Sequence, residues 1–158
     1  MPDFLVGILS NYIIKVGALS WLTAQILKTF INMYFTKEFN AERLVGAGGM
    51  PSAHTAFVVS VAIATAKQCG TQSPEFAIAA VLAVVVMYDA MGVRRAAGEQ
   101  AKVINQLVDQ WIDAFVERTA KMDQIKVPDF KELKEMLGHT PLEVIGGIVV
   151  GVTISLLV

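Results

Sequence analysis

The chain has 158 residues, enough for one domain, and 54% of them are hydrophobic while only 17% are charged. This composition is too apolar for an ordinary soluble domain and is typical of a membrane protein. The net charge of -1 hides a concentration of Lys and Arg between Lys28 and Arg43 and again between Arg94 and Lys134, and this pattern argues against nucleic-acid binding.

Four apolar runs predict an all-α integral membrane bundle with about four transmembrane helices. The first run lies within Phe4 to Phe35 and is interrupted by two lysines. The others extend from about Ser52 to Cys69, from Phe76 to about Met91, and from Pro141 to Val158. Each of these three is near the ~20 residues that a helical crossing needs, and the first is long enough to span with a tilted or protruding end. The third is short, but its helix can continue beyond the lipid.

An amphipathic arm is predicted between the third and fourth runs, at about residues 96–138 of a single domain covering residues 1–158. Polar Asp109, Gln110 and Asp113 lie opposite an apolar stripe at helical spacing. From Lys121 to Lys134 the chain is more polar, and we expect a loop with a short helix there. The stripe consists of Ile104, Leu107, Val108, Trp111, Ile112 and Phe115.

The chain has only two histidines, and each stands at the start of an apolar run. His54 follows Pro51 and Ser52, and His139 precedes Thr140 and Pro141. Ser and Thr are good helix caps, so each histidine is expected beside the free N–H groups of a helix start. Such a corner suits an anionic phosphate group. A single histidine at a helix start is more often a cap or an interfacial residue, and the pair is what favours a site.

If all four runs cross the membrane, the end of the first, the start of the second, the end of the third and the start of the fourth lie on the same side. Of the 13 Lys and Arg residues, all but Lys15 and Lys67 fall on that side, so the positive-inside rule makes it cytoplasmic. The residues that can converge there are Lys37, Arg43, His54, Asp89, Arg94, Arg95, His139 and Glu143.

Two motifs resemble those of a known superfamily. The stretch from Met50 to His54, Met-Pro-Ser-Ala-His, resembles the Pro-Ser-Gly-His motif of the phosphatidic acid phosphatase type 2 and vanadium haloperoxidase superfamily. The stretch from His139 to Gly147 resembles its His-x-x-x-Asp-Val-x-x-Gly motif, with Glu143 in place of Asp. Nearly the whole chain looks like the small divergent membrane branch of that superfamily.

The resemblance implies a phosphatase that needs neither metal nor cofactor. His139 would be the nucleophile that forms a phosphohistidine, Glu143 would orient its imidazole, and His54 would be the general acid and base. Asp89 is expected to orient an arginine. The implied phosphate-binding residues are Lys28, Lys37, Arg43, Gly49, Ser52, Arg94 and Arg95, with Lys28 a rival of Lys37 for the lysine of the first motif.

The implied substrate is a phospholipid or polyprenyl phosphate or pyrophosphate, and the distribution of Lys and Arg predicts that it lies at the cytoplasmic face of the membrane. The alternative is a membrane protein that binds anionic lipid or phosphate without turnover, because Lys131 to Lys134 lacks the arginine that the superfamily has upstream of its nucleophile. A second subunit of a homo-oligomer can also complete the site. Arg94 and Arg95 can instead mark the end of a span. Gly146, Gly147 and Gly151 predict a helix-packing surface rather than a ligand loop.

Overall fold

A computed structural model describes residues 2–37, 49–119, 131–135 and 137–158. The secondary structure in these ranges is helical, which confirms the predicted all-α fold. The helices are α1 (Pro2–Ser10), α2 (Tyr12–Thr36), α3 (Ala53–Cys69), α4 (Pro74–Met91), α5 (Val93–Thr119) and α6 (Pro141–Leu157).

The first apolar run forms two helices, a break that the sequence analysis did not predict. The axes of α1 and α2 differ by 63°. Asn11 causes the break, because its extended backbone lets its side-chain oxygen accept a hydrogen bond from the N–H of Ile14, which caps α2. Apolar residues lie on both sides of Asn11, so the sequence pattern does not show that a new helix begins there.

The other three helices begin close to the predicted positions because their caps are explicit in the sequence. The side chains of Ser52, Ser73 and Thr140 each accept a hydrogen bond from the backbone N–H three residues later. Pro74 and Pro141 then occupy the first helical position, where a missing N–H costs nothing.

The described residues contain one helix that is long and apolar enough to cross a membrane, the 42-residue stretch Pro74–Phe115 formed by α4 and most of α5. The helix of the third run therefore does continue beyond its apolar part, as predicted. The pair α1 and α2 passes the same test as one bent span, and α6 is apolar but has only 17 residues. Side chains of α4 point outward into the surroundings, with Ile78 70% and Val81 63% exposed.

Helix α3 lies at the centre and packs against α2, α4 and α6. Its contact with α6 is close enough that a Cβ atom on Gly147 would lie 2.5 Å from the carbonyl oxygen of Ser52, and one on Gly151 would lie 2.8 Å from that of Ala56. Small residues allow such close backbone approach between helices. The prediction that these glycines form a packing surface is confirmed.

The amphipathic arm is helix α5, and the chain returns along it before α6. Residues 131–135 form no helix, while residues 120–130, which include most of the predicted loop and short helix, lie outside the described ranges. Among the described helices, α5 packs only against α4.

Candidate functional site

The two histidines lie together, as expected, because the starts of α3 and α6 are adjacent. The backbone N–H of Ser52 donates to the carbonyl oxygen of Glu143 at 2.9 Å, which joins the two helix starts. The ring centroids of His54 and His139 are 6.4 Å apart. Two residues 85 positions apart in the chain therefore share one corner of the bundle.

Glu143 holds His139, which is the contact that the resemblance implies. The Nδ1 of His139 lies 3.0 Å from Oε2 of Glu143, and its ring is only 5% exposed. The same carboxylate oxygen accepts from the backbone N–H of Thr140 at 3.0 Å, while the Thr140 hydroxyl accepts from the N–H of Glu143, forming a capping box. A carboxylate acceptor favours a proton on Nδ1, so the lone pair of a neutral His139 is on Nε2.

A cavity of about 170 Å³ lies between the histidines. This volume is well above the ~30 Å³ that one water molecule occupies in the liquid. Its walls combine polar groups with an apolar surface from α4. The lining residues are His54, Val85, Val86, Asp89, Ala90, Arg94, Gly138 and His139.

Arg94 brings a fixed positive charge to this cavity. Its Nε lies 2.6 Å from Oδ2 of Asp89, which is the contact expected of Asp89 as a residue that orients an arginine. Both side chains are partly exposed, at 56% and 39%. Arg94 and Lys28 are close enough to His54 to act on it electrostatically. The Asp89 carboxylate lines the same cavity and offsets part of the positive charge of Arg94.

Arg95 lines a different cavity, which His139 also borders. This second cavity has a volume of about 220 Å³ and also includes Gly49, Lys102 and Glu143. The Nε of Arg95 lies 3.1 Å from Oε1 of Glu99. The two arginines that the sequence grouped together therefore line different cavities, both of which include the candidate nucleophile.

Lys28 reaches the site from the middle of α2 and is only 4% exposed. Its side chain runs under Gly49, whose φ of 85° is in the left-handed region and whose added Cβ would lie 3.2 Å from the lysine Cδ. A glycine at this position lets the chain cross the lysine side chain. Of the two lysines proposed for the first motif, Lys28 is the one close enough to His54 to act on it electrostatically.

Three other predicted phosphate-binding residues lie apart from the two cavities or outside the described ranges. Lys37 is exposed and ends α2, where its N–H donates to the carbonyl oxygen of Met33 at 2.9 Å. Ser52 is fully buried, and its hydroxyl oxygen accepts from the N–H and the hydroxyl of Thr55. Neither residue lines the cavities that His139 borders. Arg43 lies outside the described residues.

Comparison with known proteins shows the family of this sequence. The model of the Divergent PAP2 family matches residues 9–154, which is nearly the whole chain. The chain belongs to the Divergent PAP2 family. It is also similar to the uncharacterized membrane protein YuiD of Bacillus subtilis (strain 168), with 36% identity over 150 residues that cover 94% of each chain. No solved structure matches the chain significantly.

In this Divergent PAP2 protein, some residues that shape the site were not recognised in the sequence. The backbone N–H of His139 donates to the carbonyl oxygen of Ala90 at 2.8 Å, and Asn105 binds the segment that leads to His139. Gly138, with a φ of 79°, was a visible signal, because a glycine next to a candidate nucleophile often marks a close backbone approach. Asn105 gave no such signal, since it stands among the polar residues of an amphipathic helix.

Proposed function

We propose that this protein hydrolyses the phosphate or pyrophosphate ester of a membrane lipid through a phosphohistidine on His139. One observation carries the proposal: the two imidazoles line the same cavity, and the Nδ1 of one of them is held by a carboxylate. Membership of the Divergent PAP2 family supports it. The lipid would be a phospholipid or a polyprenyl phosphate, and four membrane crossings, by α1 with α2, α3, α4 and α6, would hold the site at the cytoplasmic face.

In the first step, Nε2 of His139 attacks phosphorus and the bond from phosphorus to the leaving oxygen breaks. His54 gives a proton to that oxygen, so the lipid leaves as an alcohol or, from a pyrophosphate, as a monophosphate. Glu143 stabilises the positive charge that develops on the His139 ring, as the carboxylate of a catalytic triad does. The apolar wall formed by Val85 and Val86 provides a surface against which a lipid chain can lie.

In the second step, water attacks phosphorus and the bond from phosphorus to Nε2 breaks. His54, now without its proton, accepts one from the attacking water and returns to its starting state. His139 regains its lone pair and inorganic phosphate leaves. Arg94 and Lys28 would stabilise the negative charge on the phosphoryl oxygens in both steps. No metal enters this scheme, and the described residues contain no group of three His, Cys, Asp or Glu side chains that could hold one.

A second candidate function is phosphate or anionic-lipid binding without turnover. The observation that favours it is that the Nε groups of Arg94 and Arg95 are both engaged by carboxylates, from Asp89 and Glu99. Such arginines can still bind an anion through their remaining N–H groups. Because each is already paired with a carboxylate, they would stabilise less well the negative charge that develops on the phosphoryl oxygens during transfer.

The test measures phosphate release and phosphoenzyme formation by purified full-length protein on a panel of lipid phosphates and pyrophosphates. The phosphatase proposal expects turnover that is insensitive to EDTA and an acid-labile, base-stable phosphoenzyme, both lost in His139→Ala. Vanadate binding should persist in that variant, because Arg94 and Lys28 remain. Binding of lipid phosphates without release or phosphoenzyme would instead support the second candidate. Full turnover in His139→Ala, or a need for divalent metal, would contradict the mechanism.

A further inference from the structure

We propose that Asn105, on the amphipathic arm, is a positioning residue for His139. This inference rests on the proposed function, since it concerns how the candidate nucleophile is held. It starts from the residues that lead to His139, here called the approach segment and defined as residues 131–135 together with Leu137 and Gly138.

The approach segment lies antiparallel to α5, and successive contacts show the direction. Leu133 contacts Asn105, and the backbone of Leu137 approaches Gly98. Gly138 then meets the backbone of Arg95. Residues with higher numbers in the segment therefore contact residues with lower numbers in α5. Because a helix rises 1.5 Å per residue, the contacts from Asn105 to Arg95 extend over about 15 Å of the arm.

Asn105 fixes the far end of this alignment with its side-chain amide. Its Oδ1 accepts from the N–H of Leu133 at 3.0 Å, and its Nδ2 donates to the carbonyl oxygen of Leu133 at 2.9 Å. Nδ2 also donates to Oε1 of Glu135 at 3.0 Å. Both backbone groups of Leu133 are thereby satisfied by one side chain, as a neighbouring strand would satisfy them. An asparagine is suited to this because its amide is both donor and acceptor.

Close backbone contact fixes the near end. A Cβ atom on Gly98 would lie 2.5 Å from the carbonyl oxygen of Glu135, and one on Gly138 would lie 2.4 Å from the backbone nitrogen of Arg95. The next residue, His139, donates its N–H to the carbonyl oxygen of Ala90. The segment therefore has little freedom to shift along α5 without moving the histidine. Catalytic geometry is sensitive to such shifts, because a displacement of about 1 Å can cost about 100-fold in rate.

The experiment uses the fact that the chain has only two histidines. In full-length protein carrying His54→Gln, His139 is the only histidine, and diethyl pyrocarbonate modification followed at 240 nm reports its accessibility. The buried ring should react slowly. Asn105→Ala removes three hydrogen bonds that hold the approach segment against α5. If this lowers the free energy needed to detach the segment by about 1 to 2 kcal/mol, His139 is exposed more often and the reaction rate should rise about 5- to 30-fold. Gln106→Ala, at the exposed neighbouring position on α5, is the matched control and should leave the rate unchanged.

Two further variants separate positioning from general loss of structure. Gly98→Ala should favour the α5 helix while pushing away the approach segment, so an increased modification rate cannot be attributed to unfolding of α5. Asn105→Asp loses both donated hydrogen bonds and adds a carboxylate beside Glu135. In the double variant with Asn105→Asp and Glu135→Gln, the amide introduced at position 135 can donate to the carboxylate introduced at position 105. The modification rate should then return towards that of the parent protein. Circular dichroism checks the helix content of each protein.

Turnover, measured in proteins that retain His54, completes the test. Asn105→Ala should lower kcat about 10- to 100-fold and change vanadate affinity much less, because the anion-binding charges remain in place. Equal modification rates in Asn105→Ala and Gln106→Ala would overturn the positioning role. Absence of phosphate release by the unmodified protein would remove the proposed function, while a raised modification rate in Asn105→Ala would still show that Asn105 holds His139.

Discussion

The backbone N–H of His139 donates a 2.8 Å hydrogen bond to the carbonyl oxygen of Ala90. Ala90 lies in the last turn of α4, where carbonyl groups have no partner within the helix. His139 is thus bonded to the end of α4 and, through Glu143, to the start of α6. These two bonds fix its ring relative to Arg94, which follows α4, and to His54, near the start of α3.

The first prediction separates the two roles of Glu143. Glu143→Gln should lower kcat by about 100-fold or more, because an amide that donates to Nδ1 would favour a proton on Nε2, the nitrogen that must attack. Thr140→Ala is the matched control, since it removes the cap and leaves the carboxylate. It should cost about 1 kcal/mol of stability and change kcat little. The measurements are steady-state kinetics and thermal unfolding in detergent. Equal losses of kcat in both variants would mean that Glu143 acts only as a cap.

Much of the helical framework could be predicted because its signals are local. Ser52, Thr140 and Pro141 stand directly before apolar runs, and helices α3 and α6 begin where those residues predict. The break in the first run could not be predicted, for the opposite reason. Asn11 is a cap within an apolar sequence, and composition alone does not show whether the chain uses such a cap or passes through it.

The site was predictable in its residues but only partly in its geometry. Topology brings the two histidines to one end of the bundle. His139 stands before the cap of α6, so the capping box, rather than a shared helix face, brings the carboxylate of Glu143 back to it. The division of Arg94 and Arg95 between two cavities depends on where the approach segment lies along α5, which no local pattern contains. The burial of Lys28 likewise depends on the path of Gly49 over its side chain.

The second prediction concerns His54 as the general acid. His54→Ala should reduce the rate strongly for an alkyl phosphate, whose leaving oxygen needs a proton, and much less for an activated aryl phosphate, whose oxygen leaves without one. The experiment compares kcat/KM for the two substrates in the variant and in the unmodified protein. A role in phosphate binding alone would reduce both rates by the same factor, and that result would contradict the assignment.

The third prediction tests the contact between α3 and α6 that brings the histidines together. In Gly147→Ala the new methyl group would lie 2.5 Å from the carbonyl oxygen of Ser52, so α6 must move away from α3. We expect a loss of about 1 to 3 kcal/mol of stability, the usual cost of overpacking, together with a fall in kcat. Gly7→Ala in α1 is the control, because a Cβ there meets nothing within 4 Å. Unfolding is followed by circular dichroism, and equal stability of the two variants would exclude the close contact.

The fourth prediction is that the site faces the cytoplasm. Lys67 donates to the carbonyl oxygen of Ser155 near the end of α6 and lies over the ring of Tyr12, so the ends opposite the histidines meet at one face. Apart from Lys15 and Lys67, every Lys and Arg falls on the histidine side in the proposed topology, and this bias should hold that side inside the cell.

Two proteins with a single cysteine each test this orientation. The chain has one cysteine, Cys69. It is exposed at the last residue of α3, at the opposite end of that helix from His54. We expect it to react with an impermeant maleimide in intact cells. Gln110→Cys in a Cys69→Ser background places the thiol on the exposed surface of α5 instead, and it should react only after permeabilisation. The reverse pattern would put the histidines on the outer face and exclude a substrate in the cytoplasmic leaflet, because a phosphorylated headgroup does not cross the bilayer unaided.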